Sequence, residues 1–136
     1  MTRMALVLAL CCLAAPAAAQ TGRWKTAAET AEVEIAPCGA RLCGSIVRLL
    51  SNRSMSDPNV ELKNVPGVGT QVLIDFEDEG EGQWAGQIFN RETGKTYRCT
   101  MKLRSAEELE VHPYIGIRWI GQTQIWHRVG EADNRG

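Results

Sequence analysis

The chain has 136 residues, a formal net charge of −1 and 44% hydrophobic residues. Its mostly apolar first nineteen residues raise that average, and the remaining stretch of about 117 residues is about 38% hydrophobic, an ordinary share for a small soluble domain. This length supports one domain with one core and excludes most large cofactor folds. Acidic and basic residues are balanced and interspersed, so no nucleic-acid partner is predicted.

The N-terminus has the pattern of an export signal. Arg3 is its only charge, an apolar run covers residues 5–15, and Ala17-Ala18-Ala19 offers a small-x-small cleavage site before Gln20. The apolar run of about 11 residues is shorter than the roughly 20 that span a bilayer, so a membrane-spanning anchor is not expected. The sequence therefore predicts a signal peptide over residues 1–19, a single mature domain over residues 20–136, and a periplasmic location.

The cysteines that remain after this cleavage are Cys38, Cys43 and Cys99. An oxidising compartment favours a local disulfide between Cys38 and Cys43, and closing so short a loop stabilises by roughly 2 kcal/mol on the chain-entropy model. The rival interpretation, a zinc site, would need a second Cys or His pair nearby, and none is present. No metal is predicted.

The mature chain shows strand patterns separated by turns. Residues 96–104 alternate most clearly, with Tyr97, Cys99, Met101 and Leu103 on one face. Together with a strand at Trp24, the other predicted strands cover residues 32–35, 42–50, 70–76, 84–90, 109–112 and 115–129. About eight evenly spaced strands without a helical stripe predict an all-β fold, a small antiparallel up-and-down barrel.

Two segments between the strands stand out. Ser51 to Gly69 has no strand pattern and is long for a loop in a compact domain, so we interpret it as a rim or lid at one barrel end. Glu77 to Glu81 is densely acidic but lacks the alternating ligands of a calcium loop. It is expected to be a solvated hairpin tip.

The two ends of the mature chain resemble those of lipocalins. Lipocalins begin their first strand with Gly-x-Trp, here Gly22-Arg23-Trp24, and place a late Arg, here Arg128, across that Trp at the closed end of the barrel. A guanidinium over an indole face gains about 0.5–2 kcal/mol. The resemblance assigns Gly22, Trp24 and Arg128 a structural role.

A second resemblance covers almost all of the mature chain. It is similar to the family of small exported bacterial proteins catalogued as domain of unknown function 2147. The resemblance implies a lipocalin-like fold and a periplasmic small-ligand role. The matching stretches are Gly22-Arg23-Trp24, Val33-Glu34-Ile35, Cys38-Gly39, residues 42–47, Pro66, Gly69, residues 84–90, residues 93–97, Leu109-Glu110-Val111 and residues 121–128.

Motifs for catalysis are missing from the sequence. It has no Gly-rich phosphate loop, no Gly-x-Ser-x-Gly elbow and no His-Glu-x-x-His. Cys99 alternates in phase with core residues, and a buried thiol is usually inert. His112 and His127 fall on polar phases of their strands. We therefore predict no catalytic residue, no cofactor and no enzymatic activity.

The barrel interior is the remaining candidate site. An eight-stranded barrel is just wide enough to be filled by side chains or to hold one small ligand. The predicted binding residues for a small apolar or amphipathic ligand face inward: Ile46, Trp84, Ile88, Tyr97 and Met101. Two alternatives stay open. One is an envelope protein with a filled barrel that binds or inhibits another protein, and the other is a hydrolase-like or redox enzyme that uses Cys99.

Overall fold

The computed structural model describes residues 18–55, 57–117 and 121–130. Each of its eight strands pairs antiparallel with the next one along the chain, and β1 also pairs with β8, so the sheet closes into a barrel. The described residues include no helix. This confirms the predicted fold class. The strands are β1 (Gly22–Lys25), β2 (Ala31–Cys38), β3 (Arg41–Leu49), β4 (Gln71–Gly80), β5 (Gln83–Asn90), β6 (Lys95–Leu103), β7 (Glu108–Tyr114) and β8 (Gln124–Arg128).

The up-and-down order sorts the connections into two ends of the barrel. The connections after β1, β3, β5 and β7 share one end, which we call the open end. They cover residues 26–30, 50–70, 91–94 and 115–123, of which 56 and 118–120 lie outside the described residues. The connections after β2, β4 and β6 and the segment before β1 share the other, closed end. Three of the four open-end connections are longer than a tight turn, so more residues surround the barrel opening at this end than at the closed end.

The core is formed by side chains that alternate inward along the strands. Cys99 and Met101 of β6 are almost completely buried, whereas Arg98 and Lys102 of the same strand are exposed, as the alternation predicts. The members of this core are Trp24, Ala31, Val33, Ile35, Leu42, Ile46, Val72, Leu73, Phe76, Cys99, Met101, Leu109, Val111 and Trp126. Residues from all eight strands except β5 belong to it, so burial is spread around the barrel.

At Gly86, strand β5 has no side chain, and its backbone lies close to strand β4. A Cβ at Gly86 would lie 2.6 Å from the carbonyl oxygen of Ile74 and 2.7 Å from the ring of Phe76. Phe76 is completely buried, and its ring occupies the space that a larger residue at position 86 would need. Only glycine permits β4 and β5 to pack at this distance.

The phase of β4 differs from the prediction. The sequence places Val72, Ile74 and Phe76 on one face, but Leu73 is completely buried and Ile74 is only half-buried. Asp75 has a positive φ of 49°, and the β4–β5 register shifts between Ile74 and Glu77. This irregularity restarts the alternation, because an extra residue in one strand reverses its inward and outward faces.

Two other boundaries are corrected by the structure. Of the segment 115–129 predicted as a strand, the described residues, which exclude 118–120, form a strand only in β8, Gln124–Arg128. Gly121 has a φ of 154°, and a Cβ there would collide with the carbonyl oxygen of Pro113, so the chain before β8 approaches Pro113 too closely for a larger residue. The acidic segment expected only as a hairpin tip continues β4 as far as Gly80 and is exposed.

The predicted disulfide is present between Cys38 and Cys43 and closes the β2–β3 hairpin. No helix in the described part of the chain is long and apolar enough to cross a membrane. The predicted signal peptide falls outside the described residues except for Ala18 and Ala19.

One acidic side chain is buried on the polar phase of β2. Glu32 is 2% exposed and lies between two arginines, with its carboxylate oxygens 3.8 Å from Arg23 and 3.7 Å from Arg48. Its Oε2 has no hydrogen-bond partner among the described residues. A buried carboxylate is stabilised when cations surround it, so the two guanidiniums compensate for the desolvation of Glu32.

Candidate functional site

The closed end is organised around Arg128. Its guanidinium carbon lies 4.2 Å from the centre of the Trp24 ring, and the two residues are paired in the β1–β8 register. Its nitrogens donate to three carbonyl groups: Nε to Ala106 (2.7 Å), Nη1 to Thr21 (3.0 Å) and Nη2 to Ala19 (2.8 Å). Arg128 therefore joins the N-terminal segment, β8 and the β6–β7 turn.

Gly22 and Gln20 complete this arrangement. Gly22 has a φ of 133°, and a Cβ there would lie 2.7 Å from Nη1 of Arg128. The indole nitrogen of Trp24 donates to the carbonyl of Gln20 at 2.8 Å, and the Gln20 side chain donates to the carbonyl of Gly82. The three residues assigned a structural role from the sequence thus lie together, and they close this end of the barrel.

The open end contains a cavity of about 180 Å³. This volume equals the share of about six water molecules in the liquid, so the cavity suits a small molecule. Val33, Ile46, Val72 and Trp126 form its inner wall and belong to the buried core. The outer part of the cavity is formed by the open-end connections and the strand ends beside them: Thr26, Ala28, Thr30, Ala31, Arg53, Met55, Ile88, Phe89, Asn90, Arg91, Glu92, Tyr97, Pro113 and Gln124.

The structure separates the five predicted ligand-binding residues into two groups. Ile46, Ile88 and Tyr97 lie on the cavity wall. Met101 is 1% exposed and packs in the core, while Trp84, its partner in the β5–β6 register, lines a shallow groove at the closed end. Alternation indicated which side chains point inward, but it did not indicate their height along the barrel axis.

Several cavity residues were missed from the sequence. Trp126 and Gln124 come from β8, where the indole nitrogen of Trp126 donates to the Gln124 side-chain oxygen at 3.2 Å. Arg91 and Glu92 belong to a segment interpreted only as a turn. Trp126 could have been found, because it alternates with the outward-facing His127; the turn residues carry no comparable signal.

The long loop, residues 51–69, is fastened to the β5–β6 turn beside the cavity. The Glu92 carboxylate accepts one hydrogen bond from the backbone N–H of Met55 at 2.7 Å and another from the hydroxyl of Ser54 at 3.2 Å. Nη1 of Arg91 donates to the carbonyl of Pro66 at 2.8 Å. Since the loop also supplies Arg53 and Met55 to the wall, it forms part of the rim of the cavity.

The buried thiol of Cys99 is unsuited to nucleophilic chemistry. Burial raises the pKa of Cys99 to about 12, and a backbone hydrogen bond at His112 only partly opposes this shift. At neutral pH the thiol is therefore protonated, whereas the thiolate is the reactive form. Its Sγ lies 3.5 Å from the carbonyl oxygen of Thr100, an ordinary weak contact for a core cysteine.

A group of potential metal ligands occurs near the β2–β3 hairpin. Ligand atoms of Cys38, Cys43 and Asp75 lie within 4.8 Å of one another. Both sulfurs are already joined in the disulfide, so neither can act as a thiolate ligand. Asp75 is exposed and lies 3.8 Å from Arg41, which explains its position without a metal.

Comparison with a solved structure supports the assignment of the fold. Protein HP1028 from Helicobacter pylori, described as belonging to the lipocalin family, aligns with a TM-score of 0.62 and 18% sequence identity over 83% of this chain and 84% of that chain. At this identity the likeness concerns the fold alone. No curated protein matches the sequence significantly.

A sequence match shows the family to which the chain belongs. Residues 22–128 match the family described as "Uncharacterized protein conserved in bacteria (DUF2147)", and they run from the first residue of β1 to the last residue of β8. The match therefore includes every strand of the barrel, both the closed end built on Trp24 and Arg128 and the wall of the open-end cavity. The chain is a lipocalin-like β-barrel that belongs to the DUF2147 family.

Proposed function

We propose that this protein binds a small apolar or amphipathic molecule in the open end of its barrel, in the bacterial periplasm, and that it acts by binding and not by catalysis. The observation that carries the proposal is the cavity of about 180 Å³ with an apolar inner wall. Ligand sites are commonly concave and mostly apolar, with a few polar groups that orient the ligand.

The dimensions of the cavity restrict the ligand. Pockets for drug-sized ligands usually measure about 300–1,000 Å³, and this cavity is smaller. Below it the interior is filled by Met101 and the other core residues. We therefore expect a molecule with about six to ten non-hydrogen atoms, or a longer one that leaves part of itself outside the opening.

Three features support the periplasmic part of the proposal. The N-terminal sequence has the pattern of a cleavable export signal. The Cys38–Cys43 disulfide suits an oxidising compartment. The family is described as conserved in bacteria. Cell fractionation of an expressing bacterium, with mass determination of the mature N-terminus, tests this part; recovery of the uncleaved chain from the cytoplasm would contradict it.

The cavity favours ligand binding over the filled barrel of the alternative hypothesis. The enzymatic alternative loses support because Cys99 is buried and its pKa is raised. The alternative of a protein-interaction module with a filled barrel is likewise weakened, since a cavity of about 180 Å³ remains above the core residues Val33, Ile46 and Trp126.

Native mass spectrometry of the protein purified from periplasm tests the binding function. We expect a population with a co-purified small molecule that is lost when the cavity is filled by Ile88→Trp, because Ile88 is half-buried on the wall. The matched control is Gln87→Trp, which adds the same indole to the neighbouring exposed position. Both variants should unfold at similar temperatures. An unliganded wild-type protein that also fails to bind apolar probes would contradict the proposal.

A further inference from the structure

The wall of the open-end cavity contains more positively charged than negatively charged residues. It contains two guanidinium groups, Arg53 and Arg91, and one carboxylate, Glu92. The shallow groove at the closed end has the opposite excess, with Asp78 and Glu81 against Lys102. The wall of the open-end cavity therefore has a surplus of one positive charge, in a chain whose overall net charge is −1.

The single carboxylate of this wall is already engaged. Both oxygens of Glu92 accept hydrogen bonds from the loop, one from the backbone of Met55 and one from Ser54. Among the described residues, Glu92 forms no ion pair with either arginine. The negative charge of Glu92 thus holds the loop, and the two guanidiniums lack an acidic partner within the described chain.

Arg91 carries an unused donor. Its Nη1 donates to the carbonyl of Pro66, but its Nη2 is buried and has no hydrogen-bond partner among the described residues. Burying a charged donor without a partner is costly, so such a group in a native protein calls for an explanation, and a bound anion is one that would satisfy it. The contact with Pro66 fixes the Arg91 side chain at the cavity wall, so its guanidinium charge is held there in advance of binding.

We propose that the ligand of this site is a short apolar molecule with an anionic headgroup, of the class of a medium-chain carboxylate. The headgroup pairs with Arg91 and Arg53 at the rim, and the tail occupies the cavity against its apolar inner wall, which includes Ile46, Val72 and Trp126. This inference rests on the proposed binding function and assigns the chemistry of its ligand. A planar guanidinium suits a carboxylate because two parallel N–H···O bonds can form.

The size of the apolar space agrees with a tail of this kind. An eight-carbon chain has about as many heavy atoms as the cavity can surround, with the charged end left at the opening. A cationic headgroup would meet two like charges at the rim, and a neutral hydroxyl could accept a hydrogen bond but would leave both guanidinium charges uncompensated. The arrangement therefore ranks headgroups as anionic, then neutral, then cationic.

Calorimetric titration of the purified protein at about pH 7 tests this ranking with three probes that share one tail: octanoate, 1-octanol and octylammonium. We expect octanoate to bind about tenfold or more tightly than 1-octanol, and octylammonium to bind most weakly. Arg91→Met and Arg53→Met should each reduce the octanoate-to-octanol ratio several-fold. Arg98→Met, which removes an exposed arginine from the outside of β6, should leave the ratio unchanged.

The ratio separates headgroup recognition from damage to the loop. Loss of the Arg91–Pro66 contact would weaken the binding of octanoate and of octanol equally, whereas loss of headgroup recognition would weaken the binding of octanoate alone. Arg53→Met repeats the test with a side chain that has no hydrogen bond or ion pair within the described residues. Equal affinity for octanoate and octanol, or a ratio that survives both substitutions, would overturn the inference and leave the proposed binding function standing. Binding of none of the three probes would overturn both.

Discussion

The carboxylate of Glu92 accepts a hydrogen bond of 2.7 Å from the backbone N–H of Met55, although 37 residues separate them in the sequence. This contact connects the turn after β5 to the loop after β3 at the rim of the cavity. Met55 is 48% exposed, so apolar burial alone does not hold it there. The position of this part of the rim depends on a polar contact with one side chain.

Replacing Glu92 by Ala should therefore loosen the loop. Hydrogen exchange measured by mass spectrometry or NMR should become faster at the amide of Met55, by roughly ten- to a hundredfold, since a hydrogen bond to a charged group contributes about 1.5–3 kcal/mol where it is made. Glu61→Ala removes an exposed carboxylate from the same loop and serves as the control. Unchanged protection of Met55 in Glu92→Ala would show that other contacts hold the loop.

Replacing Arg128 by Ala should destabilise the barrel without altering its ligand preference. In the mature chain the substitution removes the cation–π contact with Trp24 and the hydrogen bonds to the carbonyl groups of Ala106 and Thr21; the third acceptor, Ala19, lies within the predicted signal peptide. We expect a loss of about 2–4 kcal/mol in the free energy of unfolding, measured by urea denaturation. Arg104→Ala, at an exposed arginine near the same end, should cost much less. A change in ligand preference without a loss of stability would contradict the structural role.

Replacing Glu32 by Gln should also destabilise the fold. The substitution keeps the shape of the side chain but removes the negative charge between Arg23 and Arg48. We expect a loss of about 1–3 kcal/mol, less than for a fully buried pair because both arginines remain partly exposed. Glu34→Gln, at an exposed position of the same strand, is the control and should have little effect. Equal effects of the two substitutions would argue against a stabilising role for the buried charge.

The Cys99 thiol should be inert in the folded protein. Burial raises its pKa from 9.0 to about 12, so a thiol reagent at about pH 8 should label Cys99 only after denaturation. The raised pKa of Cys99 also determines how the stability of the fold changes with pH. Above about pH 9 the unfolded chain releases the thiol proton and the folded chain retains it, so this group should destabilise the fold increasingly until about pH 12.

Labelling of native protein as fast as a free cysteine would contradict the buried position of Cys99. A Cys99→Ala variant provides the blank for the labelling experiment. It should also show a smaller loss of stability between about pH 9 and 12 than the wild type, because its core contains no titratable thiol at this position.

Much of the barrel was predictable because strands with one buried face repeat with a period of two. Cys99 and Met101 were placed inside by this rule, and Trp24 and Arg128 were placed together by resemblance to lipocalins. The rule failed at Ile74, since the positive φ of Asp75 and the register shift beside it exchange the two faces, and no residue-type pattern announces this.

The candidate site was less predictable than the fold. Ile46, Ile88 and Tyr97 were recognised from alternation, but Trp84 and Met101 satisfied the same rule at the wrong height in the barrel. Arg53 and Arg91 meet the cavity only because a long loop folds back onto a distant turn. Such a meeting depends on tertiary structure and leaves no local trace in the sequence.

The pairing of β1 with β8 has a consequence for how the barrel assembles. Only two residue pairs, Trp24 with Arg128 and Lys25 with His127, join these strands, and each pair is separated by about a hundred residues of chain. The entropy lost on bringing such distant segments together is large, whereas every other strand pair joins sequence neighbours. We expect the pairing of β1 with β8, which closes the barrel, to be the slowest step of folding. In the native state, we expect fraying to begin between these two strands.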